Sequence, residues 1–236
     1  DFPRALQEFR ATGGVGCNVT LPFKRDAWQQ AAGSSAEASQ AQAANTLVLQ
    51  PSGWFAHTTD GAGLMADLTE NHGMDIKDRR VLILGAGGAA AGVLGSLLTQ
   101  EPAQVLLVNR DLDRARALME RFEAGNNVSI TSWTDLSLKG VFDLVINATS
   151  LGHLGKAPPL AASVFSPGAL CYDMNYFKAS LPLRNLCADI NQPYLDGLGM
   201  LVEQAAKSFL IWTAKRPRTR VVIDACRDEG FQAKPL

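Results

Sequence analysis

Short apolar runs alternate with helical segments through the middle of the chain. Five largely apolar runs, each as long as a buried strand, lie at 81–84, 105–108, 128–130, 144–146 and 169–172. Segments with helical spacing occupy 89–98 and 111–123. Strands and helices that alternate at this rhythm are typical of a parallel sheet covered by helices. The pattern predicts an α/β unit from about residue 75 to residue 197.

The chain before this unit has a more mixed pattern. It predicts a helix at 4–12, a strand at 15–19, two short helices within 25–42, a strand at 46–49 and a helix at about 61–72. Residues 54–57 fit either a hairpin partner of 46–49 or an independent next strand. Thr59 and Asp60 offer side-chain caps for the helix that follows them.

Two more helices, at 197–213 and 219–227, are predicted at the end of the chain. The patterns alone leave open which part of the molecule these helices contact. We therefore expect a first α/β domain at 1–60, a second at 61–197 and C-terminal helices at 198–236.

The charge balance argues against polyanionic partners. The 236 residues contain 22 Lys and Arg against 23 Asp and Glu, which gives a formal net charge of -1. A nucleic-acid surface normally carries an excess of basic residues, so we expect no nucleic-acid partner. A hydrophobic content of 47% is normal for a well-packed globular protein.

The cysteines and histidines predict no metal site. The four cysteines are widely separated and lack zinc-like spacing, so reduced thiols are expected. The three histidines are also far apart. No apolar run approaches the roughly 20 residues of a membrane span, and we expect a cytoplasmic protein.

A glycine-rich turn follows the first apolar run of the α/β unit. Gly85, Gly87 and Ala90 satisfy the pattern Gly-x-Gly-x-x-Gly/Ala between a strand and a helix. Small residues at these places allow a tight turn and a close approach of the backbone to a pyrophosphate. We predict that a dinucleotide binds at Gly85, Ala86, Gly87, Gly88 and Ala89.

The end of the next strand favours NADP over NAD. NAD-binding domains usually place an acidic residue there, whereas this chain has Asn109-Arg110, with Arg114 one helical turn later. Guanidinium groups bind a 2′-phosphate through charge-assisted hydrogen bonds. The alternative is that both arginines are solvated charges at a helix start, and the neighbouring Asp111 favours that alternative.

Several separate motifs together resemble the shikimate dehydrogenase family, in its order and at its approximate spacing. They are Asn18-Val19-Thr20-Leu21-Pro22-Phe23-Lys24, Ala44-Asn45-Thr46, Thr59-Asp60-Gly61, the turn at 85–89, Asn109-Arg110, Asn147-Ala148-Thr149-Ser150, Tyr172-Asp173-Met174 with Tyr176, and the segment 196–204. The resemblance implies NADPH-dependent reduction of 3-dehydroshikimate to shikimate, in the pathway to chorismate and the aromatic amino acids. It also implies an N-terminal substrate domain, a Rossmann-like NADP domain, and C-terminal helices that pack back on the substrate domain.

Lys24 and Asp60 suit the chemistry that this resemblance implies. Ketone reduction needs a proton donor at the oxygen, and a positive charge there stabilises the developing alkoxide. Lys24 can donate that proton, and Asp60 can pair with it and orient it. The resemblance places both residues in the catalytic site.

The resemblance also assigns further ligand contacts. It implies that Thr20, Lys24, Asn45, Asp60, Tyr176 and Gln204 bind the substrate, and that Thr149, Ser150, Met174 and Gly197 lie along the cofactor. Singly, these residues have simpler interpretations: Thr20 as a turn former, Asp60 as a helix cap, and Gln204 as a solvated helix residue.

The chain departs from the family in places that leave alternatives open. The family's first strand and its Ser-x-Ser pair, which holds the substrate carboxylate, are absent, so we expect that an N-terminal segment is missing. Arg25, His57 and Asp111 also differ from the usual residues. One alternative is a shikimate/quinate dehydrogenase homologue with relaxed use of NAD and NADP; another is a non-catalytic NADP-binding regulatory protein. We expect a monomer or a homodimer.

Overall fold

The computed structural model describes residues 1–122 and 127–228. Its strands form two sheets. The four-stranded sheet contains β1 Gly16–Asn18, β2 Gly33–Ser34, β3 Thr46–Gln50 and β4 Gly53–His57; the six-stranded sheet contains β5 Arg80–Leu84, β6 Gln104–Val108, β7 Val128–Thr131, β8 Phe142–Asn147, β9 Phe165–Asp173 and β10 Tyr194–Asp196. The helices are α1 Phe2–Ala11, α2 Lys24–Gln29, α3 Ala36–Ala41, α4 Asp60–Ala66, α5 Gly88–Leu98, α6 Leu112–Arg121, α7 Leu181–Asp189, α8 Leu198–Thr213 and α9 Thr219–Asp228.

The first sheet is mixed, with the strand order β1-β3-β4-β2. β3 pairs antiparallel with both β1 and β4, and β2 pairs parallel with β4. Residues 54–57 are therefore the hairpin partner of β3, which decides the alternative that the sequence left open. The two helices expected within 25–42 are confirmed as α2 and α3, although β2 between them was not predicted.

The second sheet is wholly parallel, with the order β10-β9-β8-β5-β6-β7. Its central strands β5, β6 and β8 are largely apolar on both faces, as expected where helices cover both sides of a sheet. Within β5, Val81 and Ile83 pack into one hydrophobic cluster, while Leu82 and Leu84 pack into the other. The chain turns to opposite sides of β5 to form β6 and β8, and open α/β sheets bind ligands at such a point.

Most predicted elements of this sheet are confirmed. The helix expected at 111–123 is α6, and its last predicted residue, Glu123, lies outside the described residues. The sequence did not predict α7 or β10. The final helix at 219–227 is confirmed as α9.

Helix α4 connects the two sheets. It packs against both α5 and α8, and it continues as a π-helical turn at Asp67–Asn71. Gly92 of α5 allows a close approach, because a Cβ atom there would lie 2.9 Å from Oδ2 of Asp60. The expected cap from Thr59 is wrong: its side chain makes no capping hydrogen bond and binds Asn45 instead.

Helix α8 returns to the first sheet. Trp212 near its end donates a hydrogen bond from Nε1 to the Leu47 carbonyl, at 3.1 Å. This contact places the end of α8 against β3 of the first sheet. Among residues 1–122 and 127–228, no helix combines the length and apolar character needed to cross a membrane.

Candidate active site

A cleft of about 790 Å³ lies between the first sheet and the carboxyl edge of the second. Most predicted site residues line it, namely Thr20, Lys24, Asn45, Asp60, Gly87, Gly88, Ala89, Arg114, Thr149, Ser150, Met174, Tyr176, Gly197 and Gln204. Four predicted cofactor residues, Gly85, Ala86, Asn109 and Arg110, do not form its wall. Segments that are far apart in the sequence therefore meet at one cavity.

Lys24 and Asp60 form an ion pair in this cleft. Lys24 Nζ lies 2.6 Å from Asp60 Oδ2, and the two side chains are 18% and 7% exposed. Asp60 is the first residue of α4, where the helix dipole stabilises a negative charge. Lys24 is the first residue of α2, where the dipole disfavours its positive charge, so the carboxylate compensates for its position.

Asn45 links this ion pair to helix α8. Its Nδ2 lies 3.0 Å from Asp60 Oδ1 and 2.9 Å from Gln204 Oε1. Its Oδ1 accepts a hydrogen bond of 2.8 Å from the Thr59 backbone N–H. Both carboxylate oxygens of Asp60 thus have partners, one in Lys24 and one in Asn45, which restricts the rotation of the carboxylate.

Ser208 is a residue that the sequence reasoning missed. Its side chain is fully buried, and its Oγ lies 3.0 Å from Asn18 Nδ2, 2.7 Å from Thr46 Oγ1 and 3.2 Å from Thr59 Oγ1. It also donates a hydrogen bond of 3.1 Å to the Gln204 carbonyl. The available signal was its position one helical turn after Gln204. We name the set Asn18, Asn45, Thr46, Thr59, Gln204 and Ser208 the substrate-side network.

The glycine turn has the geometry of a phosphate-binding turn. Gly85 has φ of +101°, a conformation that favours glycine, and its N–H donates to the Val108 carbonyl. Helix α5 begins at Gly88, so its free N–H groups lie at the wall of the cleft. Such a helix terminus attracts phosphate through its N–H donors and its dipole.

Arg114 extends the cleft wall beside this turn. Its Nε donates a hydrogen bond of 3.1 Å to the Ala86 carbonyl, which fixes the guanidinium near Gly87. Asp111 caps helix α6 by accepting from the Arg114 N–H, at 3.0 Å. Asp111, whose acidic side chain argued against NADP in the sequence, therefore serves as the N-cap of α6.

A second buried network lies behind the opposite end of the cleft. Asp173 at the end of β9 is fully buried, and this burial raises the pKa of its carboxyl group. It accepts hydrogen bonds from the side chains of Asn147 and Asn175, at 2.9 and 2.8 Å. The sequence placed Asp173 in a motif without assigning it a role.

A third buried contact joins the second sheet to the helix between the sheets. Tyr172 donates a hydrogen bond of 2.6 Å from its hydroxyl group to Oδ2 of Asp67. Burial raises the pKa of Tyr172 well above its ordinary value, so the phenol stays a donor. This contact also escaped the sequence reasoning, because 105 residues separate its partners.

Among the described residues, no cysteine or histidine side chain forms a hydrogen bond with the side chains of Lys24, Asp60 or Asn45. All four cysteines are free thiols, and Cys171 and Cys187 are buried in the second sheet's core. His153 is the one imidazole of the described chain that lines the cleft. Among the described residues, no group of three or more His, Cys, Asp or Glu side chains is placed to hold a metal ion.

Three family models match successive parts of the chain. The model described as shikimate dehydrogenase substrate binding domain matches residues 1–47. The model described as shikimate / quinate 5-dehydrogenase matches residues 67–154. The model described as shikimate 5′-dehydrogenase C-terminal domain matches residues 197–227.

A curated relative and two solved structures agree with these matches. The shikimate dehydrogenase (NADP(+)) of Alkalilimnicola ehrlichii is 45% identical over 229 residues, which cover 97% of this chain and 84% of the relative. The crystal structure of an Ael1 enzyme from Pseudomonas putida is 39% identical with a TM-score of 0.88, and the match covers 95% of this chain and 83% of that one. The shikimate 5-dehydrogenase of Thermus thermophilus, solved with NADP(H) and shikimate, is 28% identical with a TM-score of 0.77, covering 96% and 83%. The chain belongs to the shikimate dehydrogenase family.

Proposed function

We propose that the protein is an NADP-dependent shikimate dehydrogenase, which interconverts 3-dehydroshikimate and shikimate in chorismate and aromatic amino acid biosynthesis. The observation that carries this proposal is the ion pair of Lys24 and Asp60, which lines the same cleft as the glycine turn. Curated members of the family, such as the relative from Alkalilimnicola ehrlichii, support both the reaction and the cofactor.

The walls of the cleft fit NADP. The N–H groups at the start of α5 suit the pyrophosphate, with Gly85, Ala86, Gly87, Gly88 and Ala89 forming the turn. Arg114 lines the cleft and suits the 2′-phosphate, and we assign Asn109 and Arg110, which follow β6 outside the cleft wall, to the same group. Neither arginine forms an ion pair among the described residues. Thr149, Ser150, Met174 and Gly197 line the other end, where the nicotinamide ring would lie.

Lys24 and Asp60 form the acid–base pair of the reaction. When bound, NADPH supplies the hydride that reduces the carbonyl carbon. Lys24 gives the proton from its ammonium group to the carbonyl oxygen, and its charge stabilises the alkoxide that develops there. Asp60 holds the ammonium group in place, with its Oδ2 2.6 Å from Lys24 Nζ. In the reverse direction, Lys24 accepts the proton from the shikimate hydroxyl group.

Polar side chains on the substrate side suit a polyhydroxylated ring. Asn45 and Gln204 are held by hydrogen bonds to other protein groups, so their amide groups keep a fixed orientation at the cleft wall. Thr20 lies at the exposed rim of the cleft, and Tyr176 faces it from the second sheet with 36% of its surface exposed. We assign Thr20, Lys24, Asn45, Asp60, Tyr176 and Gln204 to substrate binding.

We infer a domain division that follows the two sheets. Residues 1–60 contain the first sheet, and 61–197 contain the second. Residues 198–236 return to the first sheet through α8, although residues 229–236 lie outside the described part. We also expect a cytoplasmic protein that is a monomer or homodimer, which fractionation and light scattering would test.

One set of rate measurements distinguishes this proposal from a shikimate/quinate dehydrogenase with relaxed cofactor use and from a non-catalytic NADP-binding protein. The kcat/KM of the protein is measured with shikimate or quinate, each combined with NADP or NAD. We expect kcat/KM for shikimate with NADP to exceed that for shikimate with NAD by at least about tenfold, since a guanidinium–phosphate contact contributes that much. Equal rates with quinate or NAD would show a relaxed enzyme. NADP binding without turnover would show a non-catalytic protein and overturn the proposal.

A further inference from the structure

Asp173 is a buried carboxyl group that the proposed mechanism does not use. Its Oδ1 lies within 2.9 Å of Asn147 Nδ2, 3.0 Å of the Asn175 backbone N and 2.8 Å of Asn175 Nδ2. Its Oδ2 lies 3.3 Å from the hydroxyl group of Tyr194. One side chain therefore joins the carboxyl ends of β8 and β9 to the first residue of β10.

The partners of Asp173 in turn hold the wall of the cleft. Asn147 Oδ1 accepts hydrogen bonds from the backbone N and Oγ1 of Thr149, at 3.1 and 2.7 Å. Asn175 Nδ2 also donates to the Thr149 carbonyl, at 3.1 Å. The Asn175 carbonyl accepts from the Gly197 N–H, at 2.9 Å. Thr149, Asn175 and Gly197 line the cleft, whereas Asp173 itself does not.

The hydrogen-bond pattern around Asp173 suits a carboxamide as well as a carboxyl group. Oδ1 acts only as an acceptor, towards Asn147 and Asn175. The Tyr194 hydroxyl group has a second acceptor within reach, the Ser180 carbonyl at 3.2 Å. If Tyr194 donates to Ser180, its oxygen can accept from an N–H group at position 173. Asn at this position would then preserve every link, and Ala would remove them all.

We propose that Asp173 is a positioning residue that holds the loops after β8 and β9 as a preformed seat for the nicotinamide half of NADP. It acts through Asn147 and Asn175 and touches neither cofactor nor substrate. The inference deepens the proposed function and rests on it, because it assumes that NADP occupies this cleft. The adenosine half is held elsewhere, by the glycine turn and Arg114, so loss of Asp173 should affect only one half of the cofactor.

The two halves are separated by comparing NADP with adenosine 2′,5′-bisphosphate, which lacks the nicotinamide. Calorimetric titration gives Kd for both ligands with the wild-type protein, Asp173→Ala and Asp173→Asn. We expect Asp173→Ala to raise Kd for NADP by at least about tenfold, because two buried amides lose their acceptor. Kd for the bisphosphate should change less than about twofold, and Asp173→Asn should stay within about threefold of wild type for both ligands.

Asp143→Ala is the matched control for a purely structural effect. Asp143 accepts hydrogen bonds from the Arg80 N–H and the Ser166 hydroxyl group, so it ties the same sheet at the opposite end of β8. We expect this variant to lower thermal stability without changing Kd for NADP. If Asp173→Ala does not fold, Asn147→Ala replaces it, since Asn147 does not line the cleft and this variant keeps the buried carboxyl group while it loses both ties to Thr149.

Three results would each overturn the positioning role of Asp173. They are equal weakening of NADP and bisphosphate binding in Asp173→Ala, an unchanged Kd for NADP in Asp173→Ala or the variant that replaces it, and the same weakening in Asp143→Ala. A wild-type protein that binds NADP but does not oxidise shikimate would overturn the proposed function alone. A wild-type protein that binds no NADP would overturn both.

Discussion

The two walls of the cleft are built in different ways. On the proposed cofactor side, the glycine turn and the start of α5 lie within a few consecutive residues, and they present mainly backbone N–H donors. On the substrate side, side chains from four separate segments bind one another. Asn18 and Ser208, for example, are 190 residues apart and meet at 3.0 Å. The first wall depends on local conformation, and the second depends on the whole fold.

This difference explains which parts of the site the sequence predicts. Lys24, Asp60 and the glycine turn stand in short motifs whose residue types already indicate a chemistry. Ser208 and Asp173 contact segments that are distant in the sequence, so their neighbours in the sequence do not indicate a role. Their contacts exist only in the folded structure, where these distant segments lie side by side.

The same reason explains the missed elements of the fold. The central strands of the parallel sheet are easy to recognise in the sequence. Both of their faces are buried, so each is a continuous apolar run. β2 has only two residues, and β10 has three half-buried residues at the sheet edge. Both are strands through their pairing with β4 and β9, and neither has an apolar run of its own.

The largest expected effect comes from the lysine of the ion pair. Lys24→Met removes the proposed proton donor, and we expect kcat to fall by roughly 10³-fold. Kd for NADP should stay within about threefold, because the lysine lies on the substrate side. Steady-state assays and titrations measure the two quantities. Lys77→Met is the matched control, since Lys77 is 59% exposed and pairs with Glu101 away from the cleft.

A smaller effect is expected from the arginine of the cofactor wall. Arg114→Ala should raise KM for NADP by about tenfold or more and leave KM for NAD nearly unchanged, because only NADP carries the 2′-phosphate. Arg116→Ala on the same helix removes an exposed pair with Asp113 and should change neither KM. Equal losses with both cofactors would contradict the assignment of Arg114 to the 2′-phosphate.

The smallest expected effect tests the substrate-side network. Ser208→Ala removes the hydroxyl group that lies between Asn18, Thr46 and Thr59, and KM for shikimate should rise by about three- to tenfold at unchanged KM for NADP. Thr213→Ala is the matched control. It removes the hydrogen bond from the Thr213 hydroxyl group to the Phe209 carbonyl, which resembles the bond from Ser208 to Gln204 but lies outside the cleft. A rise in both KM values with Ser208→Ala would show that the two walls are not independent.

The central claim is that Lys24 and Asp60 act as one unit at 2.6 Å, and a double-mutant cycle tests it most directly. The rate of shikimate-dependent NADP reduction is measured for the wild type, Lys24→Met, Asp60→Asn and the double variant. If the pair acts as a unit, the double variant loses little more than the worse single variant, because the second change removes a partner whose function is already lost. Losses in kcat that multiply, each single change acting independently of the other, would contradict the account.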